Sequence, residues 1–287
     1  MHANSLIYRH LLLSLLLLLA TQPALSARIE EQLPNGLYVT ADYRPGSTDR
    51  PAVLLLHGFL TVHDFSLIQK IADELGDSDY TVLAPTLSLG ISERRQTLAC
   101  DALHLHGLDD DMKELEWWAR WLIDKGHQNI ILIGHSSGSL QLVKLANLER
   151  FPQISRLIGI SMIPQEGTNI LKFEQSIKQA HAMLDKGNNG IGKFTVAYCE
   201  DNYRSPARQF LSYADLQGTT LIKDLKRDTM NTTVILGSED VDANPEWFQT
   251  LQSLGLDVIV INGANHFFNR GHEFELFESL IDTLEEE

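Results

Sequence analysis

Apolar residues along this chain fall into two rhythms that take turns. Short runs at residues 37–43, 52–56, 80–84, 129–133, 156–162, 232–236 and 257–261 are rich in Val, Ile and Leu and predict strands. Between them apolar positions recur every three or four residues. Phe65, Leu67, Ile68, Ile71, Ala72 and Leu75 predict a helix within 62–75, and Leu115, Trp117, Trp118, Trp121 and Leu122 mark another. Further helices are expected over 140–148, 245–254 and 273–284. The run at 37–43 alternates apolar with polar residues, as an antiparallel strand with one wet face does. Strands alternating with helices predict an α/β domain with a mainly parallel sheet, helices on both faces, and ligands at the carboxyl ends of the strands. Residues 163–230 break the rhythm with a helical stretch over 170–184, the turn Gly187-Asn188-Asn189-Gly190 and a mixed segment up to Met230. They predict a lid-like insertion over the site.

The first residues follow a different logic. Arg9 precedes an apolar run at 11–20 that only Ser14 interrupts, and the small residues Ala24, Ser26 and Ala27 follow. This pattern predicts a secretory signal peptide over 1–26, cleaved after Ser26 or Ala27. The run is too short to cross a bilayer core, which needs about 20 apolar residues. The mature chain, 27–287, is therefore expected to be exported, periplasmic or secreted, with no membrane span left. The 287-residue chain is 44% hydrophobic and 21% charged, ordinary for one large globular domain. Its net charge of −15 becomes −16 once Arg9 leaves with the leader, which carries no acid. Such a surface repels nucleic acid and anionic membranes, so a small-molecule substrate is the expected partner. Two cysteines, Cys100 and Cys199, occur in the whole chain. Export permits a disulfide between them, with unpaired buried thiols as the alternative. Neither sits in a motif for a cysteine nucleophile.

The run at 130–133 leads straight into Gly134-His135-Ser136-Ser137-Gly138. A serine at a sharp strand-to-helix turn is forced into a strained conformation, and glycines two residues to either side relieve the crowding. Ser136 is the candidate nucleophile. A serine hydroxyl needs a general base, and the base needs a partner to hold it. The run at 232–236 is followed by Gly237-Ser238-Glu239-Asp240, which puts Asp240 just past a strand end, with Glu239 and Asp242 near enough to substitute for it. The run at 257–261 passes through Asn262-Gly263-Ala264-Asn265 to His266, the best base among eleven histidines. A tetrahedral oxyanion needs two N–H donors. Ser137, at the start of the helix, and Phe59, after His57-Gly58, supply them by position, and Gly58 permits the turn that aims the second amide.

Ser136, Asp240, His266 and the His57-Gly58-Phe59 turn together resemble the α/β-hydrolase family across essentially the whole mature chain. The resemblance implies an eight-stranded sheet with the oxyanion loop after the third strand, the serine after the fifth, the acid after the seventh and the histidine after the eighth. It places the insertion between strands six and seven. Residues 263–268 look like the histidine loop of carboxylesterase and dienelactone-hydrolase-like members. One departure is Pro85-Thr86-Leu87-Ser88-Leu89-Gly90 in place of the Asp-x-x-Gly-x-Gly-x-Ser of epoxide hydrolases and dehalogenases, which use an aspartate nucleophile. The implied activity is cleavage of an ester or thioester through an acyl-enzyme, with no cofactor or metal required. A peptidase or amidase shares the triad, and a non-catalytic binding protein would keep the fold alone.

Other clusters have plainer readings. His57 is expected to shape its loop. His104 and His106, with Asp101 and Asp109 to Asp111, read as a solvated loop and helix start whose acids complement the helix dipole, against a metal site as the alternative. The tryptophans at 117, 118 and 121 read as packing, and the aromatics from Phe173 to Phe194 and from Tyr203 to Tyr213 as either pocket walls or loop packing.

Overall fold

A computed structural model describes residues 26–148, 150–166, 169–227, 230–240 and 245–286. The expected leader lies outside them, apart from Ser26. Eight strands form one sheet: β1 (Ala27–Gln32), β2 (Tyr38–Arg44), β3 (Ala52–Leu56), β4 (Thr81–Thr86), β5 (Ile130–His135), β6 (Ile154–Ile160), β9 (Asn231–Gly237) and β10 (Asp257–Ile261), in the order β1-β2-β4-β3-β5-β6-β9-β10. β2 runs antiparallel to both β1 and β4, and the pairings from β4 to β10 are all parallel.

The middle strands carry continuous apolar runs, Ala52 to Leu56 in β3 and Ile130 to Ile133 in β5, because both faces are covered. Successive side chains point to opposite faces, so Val53, Leu55, Ile131 and Ile133 pack on one side, with Leu67, Ile68 and Ile71 of α1 (Ser66–Asp77) and Leu276 and Leu280 of α8 (Glu273–Glu285). Leu54, Leu56 and Leu132 face the other way. There they meet Trp118 and Leu122 of α2 (Leu108–Asp124), Leu142 of α3 (Ser137–Ala146) and Leu251 of α7 (Pro245–Ser253). Trp118 is fully buried, while Trp121 is half-buried and donates from Nε1 to Glu31 Oε1 at 2.8 Å.

Between β6 and β9 the chain forms α4 (Ile170–Asp185), a hairpin of β7 (Ile191–Val196) and β8 (Cys199–Pro206), α5 (Ala207–Tyr213) and α6 (Gly218–Arg227). Phe173, Phe194 and Phe210 are buried against one another, with the Phe194 and Phe210 rings stacked 4.3 Å apart. These aromatics join the same buried cluster as Leu54 and Trp118 and do not wall the cavity at the sheet.

Cys199 opens β8 and is bonded to Cys100 in the loop after β4, with Cα atoms 5.5 Å apart and the two residues 99 positions apart in sequence. Closing a loop of that size removes chain entropy from the unfolded state worth about 4.7 kcal/mol in the simplest treatment. The Cys100→Ser/Cys199→Ser double variant is accordingly expected to lose about 2–5 kcal/mol in urea unfolding. Superimposable unfolding curves for the two proteins would contradict this.

The histidines between β4 and α2 are not solvated. His104 is buried and stacks on Tyr203 at 4.3 Å, and His106 is buried edge-on to Tyr213 at 5.6 Å. Burial lowers the pKa of both, His106 to about 3, which keeps both rings neutral. No group of three or more His, Cys, Asp or Glu among the described residues is placed to hold a metal ion. Asp109 and Asp110 do lie exposed in the first turn of α2, but Asp111 turns inward and accepts from Gln141 Nε2 at 2.9 Å and from the Tyr213 hydroxyl. That hydrogen bonding, rather than the helix dipole, accounts for its position.

Candidate active site

Ser136 joins β5 to α3 with φ 55° and ψ −128°, a region costly for any residue with a side chain. The turn is held by main-chain bonds from Ser136 N to Ile160 O at 2.8 Å and from Ser139 N to Ser136 O at 2.9 Å. Contact explains the flanking glycines. A Cβ on Gly134 would lie 2.6 Å from Ser139 N, and one on Gly138 2.4 Å from His57 O, so α3 can pass this close to the sheet only without them.

The Asp240 side chain is fully buried just beyond β9, and its Oδ2 lies 2.9 Å from His266 Nδ1. Glu239, by contrast, is exposed. Asp242 is outside the described residues. His266 follows β10, and its carbonyl accepts from Ser161 Oγ at 3.0 Å and from His135 Nε2 at 2.9 Å. His135 is the elbow residue before Ser136. Burial holds it neutral, with its pKa pushed down to about 3, so the serine turn and the histidine loop are tied without a charge between them.

Ser136, Ser137, Gly58, Phe59 and His266 line one cavity of about 420 Å³ at the carboxyl end of the sheet. Phe65, Ile163, Pro164, Tyr198 and Phe267 supply apolar wall, and Glu200 is the one acid on it among the described residues. Tyr198 and Glu200 come from the turn of the β7–β8 hairpin and the start of β8. Among the described residues neither the Phe59 nor the Ser137 amide donates a hydrogen bond, so both are free to serve a ligand. Ser137 is also the first residue of α3, where no intrahelical acceptor exists for its N–H.

His57 is buried away from that cavity. Its Nδ1 lies 2.8 Å from Gly58 O and its Nε2 accepts from Leu87 N at 3.1 Å, which fixes the proton on Nδ1. Burial beside Arg94 pushes its pKa down to about 3. It is a neutral staple between two loops.

The family model described as "Alpha/beta hydrolase family" matches residues 53–278 of this chain. The chain belongs to that family. No curated protein matches it. Among solved structures, Est1E from Butyrivibrio proteoclasticus is 16% identical with a TM-score of 0.64, the match covering 90% of this chain and 98% of that one. The alpha/beta hydrolase GrgF from Penicillium sp. sh18 is 14% identical with a TM-score of 0.68, covering 91% and 98%. A bromoperoxidase from Bacillus anthracis is 17% identical with a TM-score of 0.62, covering 91% and 100%. At these identities the likeness is one of fold, and the fold hosts more than one chemistry.

Three contributors carried no sequence signal. Tyr198 sits in a hairpin turn without a Gly or Asn-Gly, and its hydroxyl donates to Phe59 O at 3.1 Å. Gln165 accepts from Ser137 Oγ at 2.6 Å. Arg94 grips the loop that carries Phe59, through main-chain oxygens that leave no trace in residue type.

Proposed function

We propose that this alpha/beta hydrolase cleaves a carboxylic ester or thioester through a Ser136–His266–Asp240 triad and an acyl-enzyme. The observation that carries the reading is the 2.9 Å contact between His266 Nδ1 and buried Asp240, in a site where His266 shares a cavity with the strained Ser136. In this scheme Ser136 Oγ attacks the carbonyl carbon while His266 Nε2 takes its proton. The carbonyl oxygen becomes an anion that accepts from the Phe59 and Ser137 amides. Collapse expels the alkoxide or thiolate, which leaves with the proton from His266. Water then attacks the acyl-enzyme with His266 as base, releasing the acid and restoring Ser136. Asp240 keeps the Nδ1 proton in place and stabilises the imidazolium.

The aromatic and aliphatic wall suits an apolar acyl or alcohol group. Export belongs to the same reading and is supported by the leader-like residues 1–26 and by a disulfide suited to an oxidising compartment. The test is labelling of the purified protein by a fluorophosphonate, read by mass spectrometry. One adduct, on the peptide that contains Ser136, is expected; no adduct under conditions in which p-nitrophenyl butyrate is hydrolysed would refute the serine mechanism.

A further inference from the structure

Arg94 lies in the loop between β4 and α2 and is only 4% exposed. Its guanidinium is used almost completely: Nε donates to Leu87 O at 2.7 Å, Nη1 to Leu60 O at 3.2 Å and Gln96 O at 2.9 Å, and Nη2 to Thr61 O at 2.7 Å. All four acceptors are main-chain carbonyls. No carboxylate of the described residues lies within ion-pair distance. Burial pulls the Arg94 pKa down to about 10, which still leaves a cation at neutral pH. A buried charge without a paired carboxylate is costly, and an apolar side chain of similar volume would often hold two loops together at least as well. Stability alone therefore does not account for an arginine here.

The acceptors suggest what does. Leu60 and Thr61 follow Phe59 directly, and Leu60 sits at φ 57°, a strained conformation that must be held from outside. Every carbonyl from Gly58 to Thr61 has a partner. Gly58 O is bonded by His57 Nδ1 at 2.8 Å and Thr61 Oγ1 at 3.0 Å, Phe59 O by Tyr198, and the next two by Arg94. In a trans peptide the N–H points opposite the C=O, and no cis bond occurs among the described residues. Gly58 O and the Phe59 N–H share one peptide, so the bonds to Gly58 O from His57 Nδ1, Thr61 Oγ1 and Thr61 N (3.3 Å) aim the Phe59 amide. Arg94 acts on it through Thr61: it holds Thr61 O directly, and it holds Leu60 O, which shares a peptide with Thr61 N. Among the described residues the Phe59 N–H itself has no acceptor.

We propose that Arg94 is a positioning residue for the oxyanion loop, holding the carbonyls of Leu60 and Thr61 so that the Phe59 amide stays aimed at the tetrahedral oxyanion. The proposal rests on the serine-hydrolase reading above. Its buried neighbours fit the role: Glu114 accepts from Ser88 N at 3.0 Å on the loop that Arg94 also grips through Leu87, and so steadies the far side of the clamp.

The test compares wild type with Arg94→Lys, which keeps the charge but not the fork, and Arg94→Gln, which keeps two donors without the charge. With p-nitrophenyl butyrate both are expected to lose about 10- to 100-fold in kcat with KM within about twofold, part of what deleting an oxyanion donor costs. Affinity for a butyl boronic acid, which forms a tetrahedral adduct on the serine, should fall by the same factor as kcat/KM, while affinity for butyrate should not change. Folded variants with wild-type kcat and boronate affinity would overturn the proposal. So would a loss confined to KM, a loss that tracks the folded fraction in thermal melts, or failure of both variants to fold, which would make Arg94 a folding residue. Retained turnover in Ser136→Ala would instead defeat the underlying hydrolase reading, whatever Arg94 does.

Discussion

Replacing Ser136 by alanine is expected to lower kcat for p-nitrophenyl butyrate by at least about 10⁴-fold while the thermal melt stays close to wild type. The size follows from the mechanism. Without Oγ no acyl-enzyme forms, and what remains is water attack assisted by the Phe59 and Ser137 amides, which leaves residual catalysis only. Folding should survive because the contacts that hold the turn are main-chain ones, from Ser136 N to Ile160 O and Ser139 N to Ser136 O, and alanine keeps both. Alanine carries the same Cβ strain at φ 55° as serine. Turnover within tenfold of wild type would eliminate Ser136 as the nucleophile.

The second large effect is expected from Asp240→Asn, about 10⁴-fold in kcat with little change in fold. Asp240 can only accept from His266 Nδ1, so the proton stays on Nδ1 and leaves Nε2 open toward the serine. An asparagine amide at the same place donates to Nδ1 and drives the proton to Nε2, the atom that has to accept one. The aspartate side chain has no exposed surface, so an asparagine there would have no water as an alternative partner and would press its amide on Nδ1. Activity loss below tenfold, measured with intact melting behaviour, would shift the role of acid to another carboxylate.

Much of this architecture is visible in residue order because its strands are unusually plain. At β3, β5 and β9 both faces are covered, so the chain writes Val53 to Leu56, Ile130 to Ile133 and Val234 to Leu236 without a polar residue, and the candidate groups follow each run by a few residues. The elbow is legible for a steric reason, since two glycines are demanded by backbone atoms closer than 3 Å. Other elements are silent. β1 reads Ala-Arg-Ile-Glu-Glu-Gln because it is an edge strand with polar neighbours. The β7–β8 hairpin hides because Ala197 and Asp201 adopt positive φ, where Gly or Asn-Gly would have announced the turn. His104 and His106 look like polar loop residues, yet their neighbours Leu103 and Leu105 are the ones that face solvent. Alternation was present there, with the apolar and polar roles exchanged by the aromatic rings of Tyr203 and Tyr213.

The groups proposed to do the chemistry all issue from strand ends of the sheet, whereas Tyr198 and Glu200 of the cavity wall come from the hairpin between β6 and β9. That division makes the molecule a two-part tool with an exchangeable jaw. Grafting another hairpin onto the same sheet would alter which molecules are gripped and leave Ser136, His266 and Asp240 in place, while removing the Tyr198 hydroxyl that holds Phe59 O. The graft has one mechanical condition: its second strand begins at Cys199, riveted to Cys100 in the loop after β4, so a replacement jaw must carry that rivet or arrive with its own anchor.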